Sequence, residues 1–344
     1  MTLIYFILIL GAIVFVHELG HFLFAKLFGV YVYEFSLGMG PKIWSWKSKK
    51  KGTETEYSIR ALPIGGAVSL AGEEVEDDKK IPKNRKLQAK PAWQRFLIMF
   101  FGAGSNFILA FIVLFMIAMI WGAPNMDPTF TKVDAEYPMY EAGIRSGDRV
   151  LSINGDKTTT IDDVRLYLAL ASDGNSVEFE IKDKGTVKVT PIKEEENDVV
   201  RYRFGVVFEP TIEKGFLASI KYTFVKLGAM FKQMFVTFKL LFTGGLSMDN
   251  LGGPVAIYGV VGESQKQGFD SILMLVALLC VNVGFINLIP FPAFDGGRIL
   301  FIVIEKIKGS PINAEAENKI HTVGFILLMI LILYVTVNDI LRLF

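Results

Sequence analysis

Four stretches of the chain are apolar for long enough to cross a bilayer, which takes about 20 helical residues. They run over 3–28, 96–121, 271–304 and 323–340. The first carries His17, Glu18, His21 and Lys26, the second is nearly free of charge, and the third is broken by Pro290 and Pro292. Between the second and third the period changes. Residues 126–208 alternate like strands around Val150, Leu151 and Ile153, at 177–181 and at 187–192, with a helical pattern over 161–171. Two shorter strand patterns, Val30 to Phe35 and Thr55 to Ile59, predict a small sheet dipping toward the membrane. Over 214–241 the lysines Lys214, Lys221, Lys232 and Lys239 fall within about 20° of one another on a helix otherwise filled by Phe and Leu. A single cationic stripe on an apolar helix predicts a helix lying in the interface rather than a fifth span.

Composition agrees with a membrane protein that carries a soluble portion: 51% of the 344 residues are hydrophobic and 21% charged. The formal net charge of +1 excludes the strongly basic profile of a nucleic-acid binder, so no nucleic-acid partner is expected. A single cysteine, Cys280, excludes an intrachain disulfide framework and a Cys-based zinc cluster. Charge also orients the spans. The connection over 29–92 holds 12 Lys/Arg, including Lys49, Lys50, Lys51, Lys79 and Lys80. The link after the third span adds Lys306, Lys308 and Lys319, whereas no Lys or Arg precedes Lys26. By the positive-inside rule both connections are cytoplasmic, both termini lie outside, and 125–270 is extracytoplasmic. The first span lacks the basic leader and small-residue cleavage site of a signal peptide and is read as retained.

The predicted organisation is a transmembrane helix at 1–28, a cytoplasmic loop with a β-hairpin at 29–92 and a second transmembrane helix at 93–123. A compact β-rich domain follows at 126–208, then an interfacial amphipathic helix and loop at 211–270. A third transmembrane helix at 271–307 is broken at its proline motif, and a fourth occupies 320–343. The fold class is thus a polytopic α-helical membrane protein with four spans, a membrane-associated β-hairpin and one extracytoplasmic α+β domain.

Chemistry concentrates at His17-Glu18-Leu19-Gly20-His21. On a helix the two histidines lie one turn apart on one face, so both imidazoles can reach one metal ion. Glu18, rotated by about 100° from His17, can reach a metal-bound water. Ionisable groups inside a span are expensive unless they pair or serve a site. A catalytic zinc usually takes a third protein ligand. His321, at the start of the last span, is read as an interfacial side chain. The better candidate is Asp295 in Asn287-Leu-Ile-Pro-Phe-Pro-Ala-Phe-Asp295-Gly-Gly297. Its prolines break the helix, which is tolerated at membrane depth only against protein or a water-filled cavity. Asp295, just past the break, can project toward the first span; the competing role is an N-cap of the resuming helix.

The HExxH pattern, the Asn-x-x-Pro-x-Pro-x-x-Asp-Gly-Gly pattern and the run Ala142-Gly-Ile-Arg-Ser-Gly-Asp-Arg-Val-Leu-Ser-Ile-Asn-Gly155, which resembles a PDZ domain, occur together. As a whole the chain resembles the site-2 protease family of intramembrane zinc metalloproteases, in particular the bacterial PDZ-containing subgroup of the regulator of sigma-E protease type. Phe35-Ser-Leu-Gly-Met-Gly-Pro41, Leu62-Pro-Ile-Gly-Gly66, Gly252-Gly-Pro254, Ile304-Glu-Lys-Ile-Lys-Gly309 and Asn338-Asp-Ile-Leu-Arg342 agree with it. The resemblance implies zinc held by His17, His21 and Asp295, Glu18 as catalytic base, and Asn282 and Asn287 holding substrate backbone. For the two asparagines, helix–helix hydrogen bonding is the equal alternative. The sequence departs from the subgroup at Ala103 (usually Pro, in a pattern ending at Asn106), Phe294 (usually Leu) and Cys280 (commonly Ser).

The implied activity is hydrolysis of peptide bonds in single-pass membrane proteins, such as anti-sigma factors or signal-peptide remnants, by a multi-pass enzyme of the bacterial cell membrane in contact with membrane lipid. Two other classes use the same residues: a non-catalytic PDZ-bearing receptor with structural zinc, and a metal transporter with His and Asp as a transit site. A structural zinc would normally have four protein ligands, and a transporter would carry further polar residues along its path.

Overall fold

The computed structural model describes residues 1–47, 54–73, 81–171, 174–196, 199–245 and 252–342. Lys49, Lys50, Lys51, Lys79 and Lys80, which carry part of the orientation argument, lie outside the described residues. The chain divides into two units, Met1–Val113 with Lys239–Phe344, and Leu114–Phe238.

In the first unit, α1 (Thr2–Leu27) buries Ile9, Ile13, His17, Gly20, His21 and Ala25. That spacing is one helical face, so the polar residues of the motif share the packed side with small and apolar ones. The helix ends where the Phe28 N–H bonds the Phe24 carbonyl at 3.0 Å and the Val30 N–H the Ala25 carbonyl at 2.8 Å. Two strands follow, β1 (Val32–Lys47) and β2 (Glu56–Leu70), both longer than their alternating patterns suggest. Gly38 and Gly40, at φ of +88° and +86°, bend β1 within the region that hides its alternation. Residues 34–37 are consequently paired on both sides: Phe35 lies opposite Val68 and Tyr57, Leu37 opposite Gly66 and Ile59. The segment 66–70 is left at an edge.

The sheet is amphipathic. Phe35 sits 5.7 Å from the Phe15 ring and 5.1 Å from the Phe22 ring of α1. Glu34 meets Lys42 at 3.0 Å, Arg60 at 2.9 Å and the Ser58 hydroxyl. Burial opposes the Glu34 charge, but these donors outweigh it and hold the carboxyl below its ordinary pKa. Two single 3-10 turns lead to α2 (Ala92–Trp121), where Phe101 stacks on Phe24 at 3.8 Å.

The second unit begins with the end of α2 and runs through β3 (Ala123–Pro124), β4 (Lys132–Val133), α3 (Pro138–Glu141), β5 (Val150–Ile153), β6 (Asp156–Lys157) and α4 (Ile161–Leu170). It continues with β7 (Val177–Ile181), β8 (Gly185–Val189), β9 (Ile192–Glu196), β10 (Val199–Arg203), β11 (Val206–Val207) and β12 (Ile212–Glu213). A four-stranded antiparallel sheet has the order β6-β5-β7-β8. Phe130, Met139, Ile153, Val164 and Phe179 close a core between this sheet and α4. The unit ends in α5 (Phe216–Thr243), which is not among the helices apolar enough to span. Lys232, read from sequence as part of a membrane-facing stripe, instead lies 3.0 Å from Asp163 and donates to the Lys157 carbonyl at 2.6 Å. Lys226 reaches Asp162 at 2.6 Å. Leu217, Phe224, Phe235 and Phe242 are exposed on a strip of the helix adjoining the lysines.

The first unit resumes with α6 (Pro254–Gln267), a helix the hydrophobic pattern does not announce. Asp339 accepts its Gly253 and Ala256 N–H groups at 2.9 and 3.0 Å, a carboxylate cap supplied across helices. Then come α7 (Phe269–Leu288), a break, α8 (Asp295–Lys308) and α9 (Ala314–Leu341), which bears Asp339. Among the described residues, four helices are long and apolar enough to cross a membrane: Thr2–Leu27, Ala92–Trp121, Phe269–Leu288 and Glu315–Leu341. The third candidate span therefore stops at Leu288. The segment beyond Pro292, expected to complete that span, is a separate short helix with charged Arg298, Glu305, Lys306 and Lys308.

Asp163 generates a test in the second unit. Its carboxylate accepts the Thr159 and Thr160 N–H groups and the Thr159 hydroxyl, while the Thr160 hydroxyl accepts its N–H. Burial opposes its charge, but the Thr159 donors and Lys232 prevail and depress its pKa. A depressed carboxylate stabilises the fold above its unfolded pKa and loses that contribution on acidification. Asp163→Ala is expected to cost about 1–2 kcal/mol at neutral pH, read as lost amide-exchange protection in α4. The difference from wild type should close as pH falls below about 4.

Candidate metal centre and active site

α1 brings its histidines to one point. His17 Nε2 and His21 Nε2 are 3.3 Å apart, and each lies 3.2 Å from Asp295 Oδ2. These atoms form a nearly equilateral triangle of donors. An ion bound tetrahedrally at about 2.0–2.1 Å has ligand–ligand edges of about 3.3 Å, so the triangle has the size of one face of such a site. Asp295 Oδ2 is buried and has no hydrogen-bond partner among the described residues, and both histidines are buried. Three lone-pair atoms converging away from water make sense around a cation. The donor set is nitrogen and oxygen, which suits zinc.

Each imidazole is oriented from behind. His21 Nδ1 lies 2.8 Å from the Ile98 carbonyl of α2, so Nδ1 carries the proton and Nε2 keeps its lone pair. Asn106, fully buried, places its side-chain amide 3.5 Å from His17 Nδ1. The atom facing the ring is Nδ2, and Asn106 Oδ1 is buried without a hydrogen-bond partner among the described residues; exchanging the two amide atoms would let the oxygen accept the Nδ1 proton. Gly102 makes room for the pair: a Cβ there would lie 2.2 Å from His21 Nε2.

Asp295 is the first residue of α8, after Phe294 at the N-cap position, so it does not serve as the N-cap itself. Pro290 and Pro292 carry no N–H, and the turn between α7 and α8 is closed by the Phe291 N–H on the Ile289 carbonyl at 2.7 Å and the Phe294 N–H on the Phe291 carbonyl at 3.1 Å. A cavity of about 300 Å³ opens beside the triangle, lined by Glu18, Gly66, Ala67, Val68, Asn287 and Arg298 with the three donors. Glu18 thus faces the same space as the donors, as its rotation along α1 requires. The segment 66–68 pairs with β1 on one side and has no strand partner on the other among the described residues.

The two asparagines separate. Asn287 lines the cavity and donates to the Val283 carbonyl of its own helix at 2.9 Å. Asn282, five residues earlier on α7, is not among the lining residues, and its buried Oδ1 has no hydrogen-bond partner among the described residues. Sequence reasoning missed three contributors. Asn106 enters the sequence reading only as the end of the pattern that departs at Ala103, although an Asn in an apolar span is itself a signal. Arg298, which pairs with Glu73 at the cavity wall, could have been noticed as a charge three residues from Asp295. His321, read from sequence as an interfacial side chain, is half-buried, and its Nδ1 accepts the Ala293 N–H at 3.2 Å.

Residues 5–331 match the model of peptidase family M50. The chain is 33% identical to the regulator of sigma-W protease RasP of Bacillus subtilis, covering 100% of this chain and 99% of that one. It is likewise 33% identical to zinc metalloprotease RasP of Bacillus licheniformis, over 100% of this chain and 99% of the relative. A Clostridium perfringens protein named as a candidate zinc metalloprotease is 40% identical over 99% of this chain and 98% of its own length.

The clearance at Gly102 is directly testable. Gly102→Ala should displace the His21 ring and weaken retention of a bound divalent ion by about tenfold or more. Metal content after dialysis against a weak chelator measures this, and wild-type retention would refute the packing argument.

Proposed function

The chain belongs to peptidase family M50, and on that premise we propose that it is a zinc-dependent intramembrane endopeptidase acting in regulated intramembrane proteolysis. The observation that carries the reading is the triangle of His17 Nε2, His21 Nε2 and Asp295 Oδ2 with Glu18 on the adjoining cavity. His17, His21 and Asp295 hold the zinc, which when bound supplies a Lewis acid that polarises a carbonyl and brings the pKa of water toward about 7. Glu18 takes the proton of the attacking water and returns it to the leaving amine. The Ile98 carbonyl keeps the His21 imidazole in the tautomer that leaves Nε2 free, and the Asn106 amide does the same for His17 when its oxygen faces the ring. The only such donor cluster among the described residues has three members, fewer than the four protein ligands of a structural zinc, which favours catalysis over a structural ion.

A helical amide has its carbonyl hydrogen-bonded and shielded, so the substrate must be extended before attack. Residues 66–68 offer an unpaired strand edge beside Glu18, where an unwound segment can add as a further strand. Asn287, at the cavity wall, can bind substrate backbone, whereas Asn282 stands outside the cavity lining. The substrates are single-pass membrane proteins, such as anti-sigma factors or signal-peptide remnants. The enzyme resides in the bacterial cell membrane with residues 126–208 outside, as a PDZ-like domain that screens substrates by the size or terminus of their external part. The exposed Leu217, Phe224, Phe235 and Phe242 of α5, with Lys214, Lys221 and Lys239, suit a membrane surface.

Glu18→Gln tests the base. Cleavage of a membrane-anchored reporter by purified protein should fall by about a thousandfold or more while zinc stays bound. Full activity in that variant would refute the assignment. Deleting 126–208 tests the screen: hydrolysis should persist on a wider range of external portions, and unchanged selectivity would overturn the gating role.

A further inference from the structure

Asp295 is delivered by a turn whose backbone is held in an unfavourable conformation. Ala293, two residues before it, has φ of +94°, a region that a side chain with a Cβ rarely occupies. Such a conformation persists where the surroundings over-determine it, and α9 provides two contacts that do so. His321 Nδ1 accepts the Ala293 N–H at 3.2 Å. One turn further along the same face, Gly324 lies so close to Pro292 that a Cβ would sit 2.4 Å from the Pro292 carbonyl oxygen. Because Nδ1 accepts, the imidazole carries its proton on Nε2, which is buried without a hydrogen-bond partner among the described residues. The Ala293 bond is therefore the polar contact that orients this ring.

We propose that the last spanning helix is the brace of the metal site: His321 and Gly324 are positioning residues that hold the Pro292–Ala293 turn and so aim the Asp295 carboxylate at His17 and His21. Neither touches the reacting atoms. Pro290 and Pro292 remove donors from this turn, and the Ala293 N–H, freed from any helix, would be left unsatisfied at membrane depth without the imidazole. The proposal rests on Asp295 being a zinc ligand, as argued above.

The test measures zinc affinity of the full-length protein in detergent by competition with a chromophoric chelator, together with the unfolding temperature of the metal-free form. His321→Leu removes the acceptor and should weaken zinc binding about tenfold or more, as loss of a partner behind a ligand typically does. His321→Asn places an amide oxygen where Nδ1 stood and should stay near wild type. The metal-free unfolding temperatures of the two variants should agree, which separates positioning from a general structural role. Gly324→Ala, which presses on Pro292 and keeps the imidazole, should weaken zinc comparably and carries the comparison if His321→Leu does not fold. Wild-type zinc affinity in His321→Leu or in Gly324→Ala, or equal losses in His321→Leu and His321→Asn, would overturn the proposal. Asp295→Ala run alongside distinguishes the two levels: undiminished affinity there removes the ligand assignment and this proposal with it, whereas a loss there with intact affinity in the brace variants removes the brace alone.

Discussion

Three lone-pair atoms, two imidazole nitrogens and one carboxylate oxygen, are held within 3.2–3.3 Å of one another among apolar helices. Without a cation, such a gathering is unfavourable: Asp295 Oδ2 is buried and has no hydrogen-bond donor among the described residues. With a divalent ion, the same arrangement becomes the strongest electrostatic feature of the unit. The remainder of the first unit can be understood as the means of keeping those atoms together. α1 supplies two of them at one-turn spacing. α2 approaches closely enough, through Gly102, for its Ile98 carbonyl and Asn106 to fix the rings from behind. The third atom comes from a place where helical continuity is given up.

That break follows from one constraint. Backbone groups at membrane depth must be satisfied, so an irregular turn survives only where protein supplies partners. Two prolines reduce the number of donors, and short bonds within 289–294 and the His321 ring take up others. The result is a rigid turn that ends in a carboxylate at the first position of α8, near the positive end of that helix. The sheet answers a related problem. Its middle segment is paired on both sides, while 66–68 keeps an edge toward the cavity, and an edge is where an extended chain can be bound without side-chain specificity.

The second unit has an ordinary water-soluble construction, with an antiparallel sheet, a capped helix and an apolar core. Its last helix shows how charge patterns mislead. A periodic set of lysines predicts a uniform stripe, but Lys232 lies against Asp163 and the Lys157 carbonyl, so one member of the stripe faces a protein neighbour. Angular position on a helix says which residues share a direction; it does not say what lies in that direction.

The amino-acid sequence alone determined the four apolar helices, the strand-rich segment between them and the pairing of His17 with His21, since each rests on spacing along one local element and on transfer energies that act residue by residue. It also marked Asp295, because a double-proline break inside an apolar run is costly unless it serves a site. The tertiary structure decided the rest. That Asp295 Oδ2 meets both rings, that Asn106 and Ile98 stand behind them, and that His321 holds the Ala293 N–H are all contacts between segments far apart in the chain. Such contacts depend on how helices cross and how closely their small residues let them approach, and no periodicity within one segment encodes what another segment will place beside it.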